Sequence, residues 1–253
     1  MISVIIPTYN NLSLLENALC HIKKQSYKDY EIIVVDDSTN EDIQKFMANQ
    51  PNIRYYHNDP ALGPVPNWNY GLSLAKGECV ILHHHDEYFD NENHLAKIVQ
   101  QLKNHDVVVS NIKVFVGKTE HKIIVPRFVK RLFIMVPSLF LFSNVIGPCA
   151  CFAIKKAFYE PLDENLVWKV DSEWYYRILK NKHAAYINNY CIYSKHGHRE
   201  QITSSINISE KAQLDIEYLK QKYSDNKWAL FILKLSQLCE NLKKHLTLKN
   251  ENS

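Results

Sequence analysis

The sequence contains no Cys-x-x-Cys pair, no His-Glu-x-x-His, no glycine-rich loop bearing Lys or Arg after its first apolar run, and no internal repeat. The first two absences remove the spacings typical of structural zinc sites and zinc peptidases. The third argues against a nucleotidyltransferase, which needs such a loop to hold a triphosphate. Cys20, Cys79, Cys149, Cys151, Cys191 and Cys239 lie mostly inside apolar runs and read as buried free thiols in a reducing compartment. The longest apolar run, Leu132 to Ile146, is broken by Pro137, Ser138 and Ser143 and falls short of the roughly 20 residues that span a bilayer. The opening MISVIIPTYN has neither a basic region nor a cleavage site. It reads as a first strand rather than a signal peptide, which makes the cytoplasm the expected location. A net charge of +3 does not call for nucleic acid, although it permits a phosphorylated ligand or an anionic membrane surface.

With 46% hydrophobic and 23% charged residues the chain has the balance of a globular protein, and its 253 residues suit one domain plus an appendage. The expected division is a domain over 1–205, with halves 1–110 and 111–205, followed by a helical extension over 206–253. SVIIP, EIIVVDD, NIRYYHN and ECVILHH read as strands. Between them lie helical patterns: NNLSLLENALCHIKKQ, with Leu12, Leu15, Leu19 and Ile22 on one face, STNEDIQKFMAN, and NWNYGLSLAKG closed by Gly77. Strands that are continuous apolar runs suit a parallel sheet covered on both faces, and the class is therefore α/β. NENHLAKIVQQLKNH continues as a helix, DVVVSNIKVFVG and EHKIIVP as a hairpin, VDSEWYYRILKNK as a helix, and residues 209–246 as one or two long helices.

In open sheets of this kind the carboxyl ends of the strands line the ligand crevice. Thr8, Tyr9, Asn10, Asp36, Asp37 and the run His83 to Glu87 all fall at such ends. Three adjacent histidines on a strand would point to alternate faces, which argues against one zinc ion. Asp86 and Glu87, facing Asp36 and Asp37 on a neighbouring strand, would form an oxygen-rich site suited to Mg2+ or Mn2+ bridging a diphosphate. Asp37 also reads as a cap for the next helix. Asp171 begins a helix and has two readings, an N-cap or a base that takes a proton from a hydroxyl nucleophile.

The order of SVIIPTYNN, EIIVVDDST, the N-Y-G-L segment ending in AKGE, the strand into HHHDE, and VDSEWYYR resembles the inverting glycosyltransferases of family 2, which have the GT-A nucleotide-sugar fold. That fold implies a mostly parallel central sheet flanked by helices, here with a helical C-terminal extension. The resemblance covers residues 1 to 200 or so. It implies a sugar moved from a nucleotide-diphosphate donor, a UDP-sugar in the first instance, to a hydroxyl of a saccharide or lipid-linked oligosaccharide. Asp171 takes the place of the general base. Pro7, Thr8, Tyr9, Asp36 and Asp37 take that of the base and ribose pocket, and Asn69 and Gly71 that of the segment over the nucleotide, with Asn67 a near competitor. Of the family's Asp-x-Asp, His84 occupies the first place, His85 the middle and Asp86 the last. Asp86, His84 and His196 are thereby implied as ligands of Mn2+ or Mg2+, and His84, His85, Arg177, His198 and Arg199 as donor contacts. The substituted His84 leaves room for a catalytically silent nucleotide-binding member of the fold.

Several segments keep two readings. Glu173 either orients the acceptor or pairs with Arg177 at i and i+4. Asn144, Gly147 and Pro148 either edge the acceptor side or set a turn. The loop SKHGHREQIT is a diphosphate neighbour or a solvated loop. Residues Phe128 to Ile146 form a lipid-facing flap or a core segment, and the last helix offers contact with the inner face of the cell membrane or pairing with a second chain.

Overall fold

The computed structural model describes residues 1–116, 119–121, 125–197 and 207–251. Strand β1 (Ile2–Thr8) is buried along its whole length because it lies inside the sheet, with β2 (Tyr30–Asp36) and β4 (Cys79–Leu82) paired parallel on either side. β3 (Arg54–His57) extends the parallel set beyond β2. Between these strands run α1 (Leu12–Lys23), α2 (Asp42–Met47) and α3 (Pro64–Ser73). The second half comprises β5 (Glu87–Phe89), α4 (His94–Leu102), β6 (Val107–Val116), β7 (Thr119–His121), α5 (Arg127–Met135), β8 (Phe152–Lys155), α6 (Val170–Leu179) and β9 (Ala184–His196), followed by α7 (Ile208–Lys222) and α8 (Lys227–Glu251). The sheet order is β3-β2-β1-β4-β8-β6-β9-β5, with β7 on β6. The expected α/β sheet is present, parallel through β1 to β4 and mixed beyond.

Two boundaries differ from the sequence reading for local reasons. Helix α3 starts at Pro64, behind Gly63 at φ +88°, because proline is preset for a first helical position. The fourth strand stops at Leu82, and His83 to Asp86 form a turn that Glu87 closes, its backbone N–H reaching His84 O at 3.1 Å. The expected alternation of three histidines along a strand is therefore replaced by a turn.

Close packing explains Gly71. A Cβ there would lie 2.5 Å from Ile5 Cγ2 and 2.9 Å from Val35 Cγ2, so the missing side chain lets α3 rest on β1 and β2. Gly71→Ala should cost roughly 1–3 kcal/mol through overpacking. Chemical denaturation tests this, and an unchanged midpoint would refute it.

The α6 segment packs through its aromatics. Trp174 and Tyr175 are fully buried, Tyr175 stacks on Phe152 with centroids 3.8 Å apart, and Trp174 Nε1 donates to Glu160 O at 2.7 Å. These rings are core, not a sugar platform. Phe128 to Ile146 divides between two environments, with Phe133, Phe140 and Leu141 buried and Phe128, Leu132 and Met135 exposed. Four of the six thiols are buried as expected, whereas Cys20 is exposed and Cys239 half-buried. Helices α7 and α8 pair, joined by contacts such as Gln213 to Asn241, and Leu219, Ala229, Ile232 and Leu233 enter the main core. The expected boundary at 205/206 lies outside the described residues. Among the described residues no helix is long and apolar enough to cross a membrane.

Candidate active site

The carboxyl ends of β1 and β2 are laced together. Asp37 N–H donates to Thr8 O at 3.1 Å, and Asn10 N–H to Ser38 Oγ at 2.8 Å. Pro7 and Thr8 are buried while Tyr9 is exposed, and the Thr8 hydroxyl is a buried polar atom without a hydrogen-bond partner. Asp36 is fully buried. Its oxygens accept from Ser38 N–H at 2.9 Å and Tyr55 O–H at 2.7 Å, and burial together with that carboxylate pushes the Tyr55 phenol up.

Asp37 does not cap the next helix, whose N-cap is Glu41. It accepts instead from Asn58 Nδ2 at 2.7 Å, Leu62 N–H at 3.2 Å and Gly63 N–H at 2.8 Å, and so holds the loop that leads into α3. Asn67, also buried, accepts from Asn58 at 2.9 Å in the same network.

A second cluster forms around the His83 to Glu87 turn, and its three histidines have different surroundings. His83 is fully buried beside Phe89, and burial, with the neighbouring His84, pushes it down to about 3; it is a neutral core residue. His84 is held by Glu87, whose Oε2 accepts the His84 backbone N–H at 2.8 Å while Oε1 lies 3.3 Å from Nδ1. Burial alone would lower His84. The Glu87 carboxylate, helped by Asp86 and Asp171, overrides it and holds the imidazole up at about 9. His84 Nε2 is buried without a hydrogen-bond partner, and Trp68 stands edge-on to the ring at 4.7 Å. His85 and Asp86 are half-buried.

Strand β9 brings a distant residue to this turn. Lys195 N–H donates to Asp86 O at 2.9 Å, Ser194 pairs with Glu87 across β5 and β9, and His196 Nε2 lies 3.1 Å from Ser194 Oγ. His198 and Arg199 lie outside the described residues.

Asp171 sits in the first turn of α6, half-buried, with Oδ1 accepting from Cys149 Sγ at 3.1 Å. It is not the N-cap, a position occupied by Lys169. Burial raises its carboxyl, opposed by the Cys149 hydrogen bond and the charge of His84. The thiol, fully buried, is itself pushed well up.

His84 and Asp171 thus share one electrostatic neighbourhood, joined through β9 to His196. Asn69, Gly71 and Arg177 each have internal contacts in the described structure. Asn69 straps α3 to the following segment by donating to Leu162 O at 2.9 Å and Glu164 Oε1 at 2.8 Å. Arg177 is spent on Glu173, Glu160 and Pro161 O, each at 2.8 Å. Asn144 accepts from the N–H groups of Ile146 and Gly147 and sets a turn, with Gly147 at φ +134°. Sequence reasoning missed Glu87 as the partner of His84, Trp68 as its neighbour, and Cys149. Only the acid spaced three residues after His84 gave a signal for any of them.

The joint acidic site expected from Asp36, Asp37, Asp86 and Glu87 does not form. β1 separates β2 from β4, which puts the strand ends about 10 Å apart. Asp36 and Asp37 are occupied by loop donors and Glu87 by His84. Among the described residues no three His, Cys, Asp or Glu side chains converge on one point. The half-buried Asp86 carboxylate still fits a divalent ion that would take its other ligands from a diphosphate and water, whereas the His84 ring, held protonated, would offer Nε2–H to the diphosphate and would ligate only on losing that proton.

The profile of glycosyl transferase family 2 matches residues 3–162. Among curated proteins, the chain is 34% identical over 117 residues to glycosyltransferase GlyG of Streptococcus pneumoniae, covering 44% of this chain and 38% of that protein. It is 42% identical over 84 residues to a GalNAc(5)-diNAcBac-PP-undecaprenol beta-1,3-glucosyltransferase of Campylobacter jejuni, covering 31% and 27%. The chain therefore matches well under half the length of either relative. Its fold is similar to S. aureus TarS 1–349 in complex with UDP-GlcNAc, with TM-score 0.66, 20% identity, and 87% of this chain and 66% of that one covered. It is similar also to mannosyltransferase PcManGT from Pyrobaculum calidifontis in complex with GDP-Man and Mn2+, with TM-score 0.64, 18% identity, and 95% and 75% covered.

Proposed function

The chain belongs to glycosyl transferase family 2, and from that membership we propose that it transfers a sugar from a UDP-sugar to a hydroxyl of a saccharide or lipid-linked oligosaccharide, with inversion at the anomeric carbon. The observation that carries this reading is Asp171, a half-buried carboxylate whose hydrogen-bond partner is a thiol and whose proton affinity burial has raised. Such a group takes a proton at neutral pH better than an exposed aspartate. The acceptor oxygen attacks the anomeric carbon as its proton passes to Asp171. The bond from that carbon to the diphosphate oxygen breaks on the opposite face, and the nucleoside diphosphate leaves with the electron pair.

Thr8, with its unmatched hydroxyl, and Tyr9 edge the nucleotide pocket, with Pro7, Asp36 and Asp37 beneath and beside them. His84 Nε2 and His85 face the ribose or diphosphate. Asp86, with His84 and His196 alongside, would hold Mn2+ or Mg2+, which would supply charge neutralisation for the departing diphosphate. The alternative of a silent nucleotide-binding protein is disfavoured by Asp171 and His84 lying in one electrostatic neighbourhood.

Calorimetry with UDP-sugars and GDP-mannose, in Mn2+, in Mg2+ and in chelator, tests the assignment. Binding of a UDP-sugar strengthened by metal is the expected result. No binding by any donor under any condition would overturn it.

The exposed Phe128, Leu132 and Met135 of α5, flanked by exposed Arg127 and Arg131, support peripheral contact with an anionic membrane. The exposed Phe231, Leu235, Leu238 and Leu242 of α8 support self-association. Vesicle flotation and sedimentation velocity separate these two readings, since contact with lipid moves the first signal and pairing of chains the second.

A further inference from the structure

The helix that carries Asp171 starts without a cap of its own. Lys169 stands at the N-cap position and makes no capping bond with its side chain. A helix start nevertheless needs acceptors for its first N–H groups, which concentrate partial positive charge. Asp171, in the first turn, is turned to Cys149 instead.

An acceptor for the N-cap and for the two residues before it comes from α7. Asp215, only 3% exposed, accepts the backbone N–H of Val167 at 3.2 Å on either oxygen, and those of Trp168 and Lys169 at 2.7 Å on one. Three successive N–H groups make a concave nest of the kind that binds anions, and here a carboxylate of the same chain fills it. A second hold lies two turns along α7. Fully buried Glu173 of α6 accepts from Lys222 Nζ at 2.7 Å and from Tyr223 O–H at 2.6 Å. Asp215, Leu219 and Lys222 recur at i, i+4 and i+7, which places them on one face of α7, with the fully buried Leu219 between the two polar holds.

We propose that Asp215 is a positioning residue for Asp171, pinning residues 167–169 and with them the start of α6 from which Asp171 is presented to the site. The inference rests on the reading of Asp171 as the base. The C-terminal helices thereby become part of the catalytic apparatus. A carboxylate at the start of a helix ordinarily turns back to bond the local N–H groups. Asp171 instead accepts from the Cys149 thiol, while Asp215 fixes Val167, Trp168 and Lys169, the residues through which the chain enters α6.

The test uses the full chain with Asp215→Ala and Asp215→Asn, read by amide hydrogen exchange over residues 167–174 and by the 13C carboxyl resonance of Asp171, assigned through its loss in Asp171→Asn. In Asp215→Ala, protection over 167–169 should fall by about tenfold or more, the worth of one strong hydrogen bond, and the Asp171 resonance should move. Asp215→Asn keeps an acceptor oxygen and should recover part of both signals. If Asp215→Ala lowers the melting temperature but leaves exchange and resonance as in the wild type, Asp215 is scaffold and the proposal falls. Should the alanine variant fail to fold, the asparagine variant decides by the same two readouts, a wild-type resonance and wild-type exchange counting against the proposal. Neither readout needs turnover, so an Asp171→Asn enzyme that still transferred sugar would remove the base assignment and leave the pinning result standing.

Discussion

Asp171→Asn should lower kcat by roughly 10²–10⁴, the usual contribution of a positioned general base, while the affinity for the nucleotide donor stays within a factor of about two. The amide keeps the shape of the carboxylate and an oxygen to accept the Cys149 thiol hydrogen bond, 3.1 Å in the native protein, so folding is little disturbed. It cannot take a proton from an acceptor hydroxyl. The loss should therefore appear in kcat and not in donor binding, which separates a base from a binding residue. The native pH profile carries a second signature. Burial raises the Asp171 carboxyl above its ordinary value, so activity should fall on acidification at a higher pH than a surface aspartate would give, and this acid limb should vanish in the variant. Single-turnover measurement of product from a radiolabelled donor checks both statements. Full activity in Asp171→Asn would remove the residue from the mechanism.

The parts of the fold that were legible in the sequence are those fixed by local pattern. β1, β2 and β4 are unbroken apolar runs, and they are buried parallel strands because only a sheet covered on both faces satisfies such runs. The placing of Asp36, Asp86 and Asp171 at strand ends or at a helix start followed from the same pattern. Long-range pairing was not legible. The order that inserts β1 between Asp36 and Asp86 is a property of the sheet, and His196 reaches the turn only through the β9 contacts with β5 and Asp86. The resemblance places Gly71 over the nucleotide, and its packing role, a Cβ there falling 2.5 Å from Ile5 Cγ2, has no local signal in the sequence. Asp215 gave no signal, because an acceptor supplied from another helix leaves no spacing to recognise.

The three histidines illustrate the same division, and Glu87 is the residue that separates them. In the wild type, burial acts to lower His84 and the carboxylate of Glu87 acts to raise it, with the net position held up at about 9. Glu87→Gln removes the charge but keeps an oxygen for the His84 backbone N–H, which Glu87 accepts at 2.8 Å. Desolvation is then opposed only by the weaker pull of Asp86 and Asp171, and the His84 midpoint should fall by roughly two units or more. Stability follows with a definite sign. A histidine whose folded midpoint lies above its unfolded value contributes stability that is complete below that unfolded value, near 6.5, and lost as pH rises through about 9. Burial also raises the Glu87 carboxyl, to about 7, so both groups lose stability as pH rises, and the advantage of the wild type over Glu87→Gln should be largest in acid solution and shrink progressively toward pH 9. Nitrogen-detected NMR titration of His84 and denaturant unfolding at several pH values measure the two effects separately. A His84 midpoint that did not move in Glu87→Gln would show that the Glu87 carboxylate is not what holds the proton.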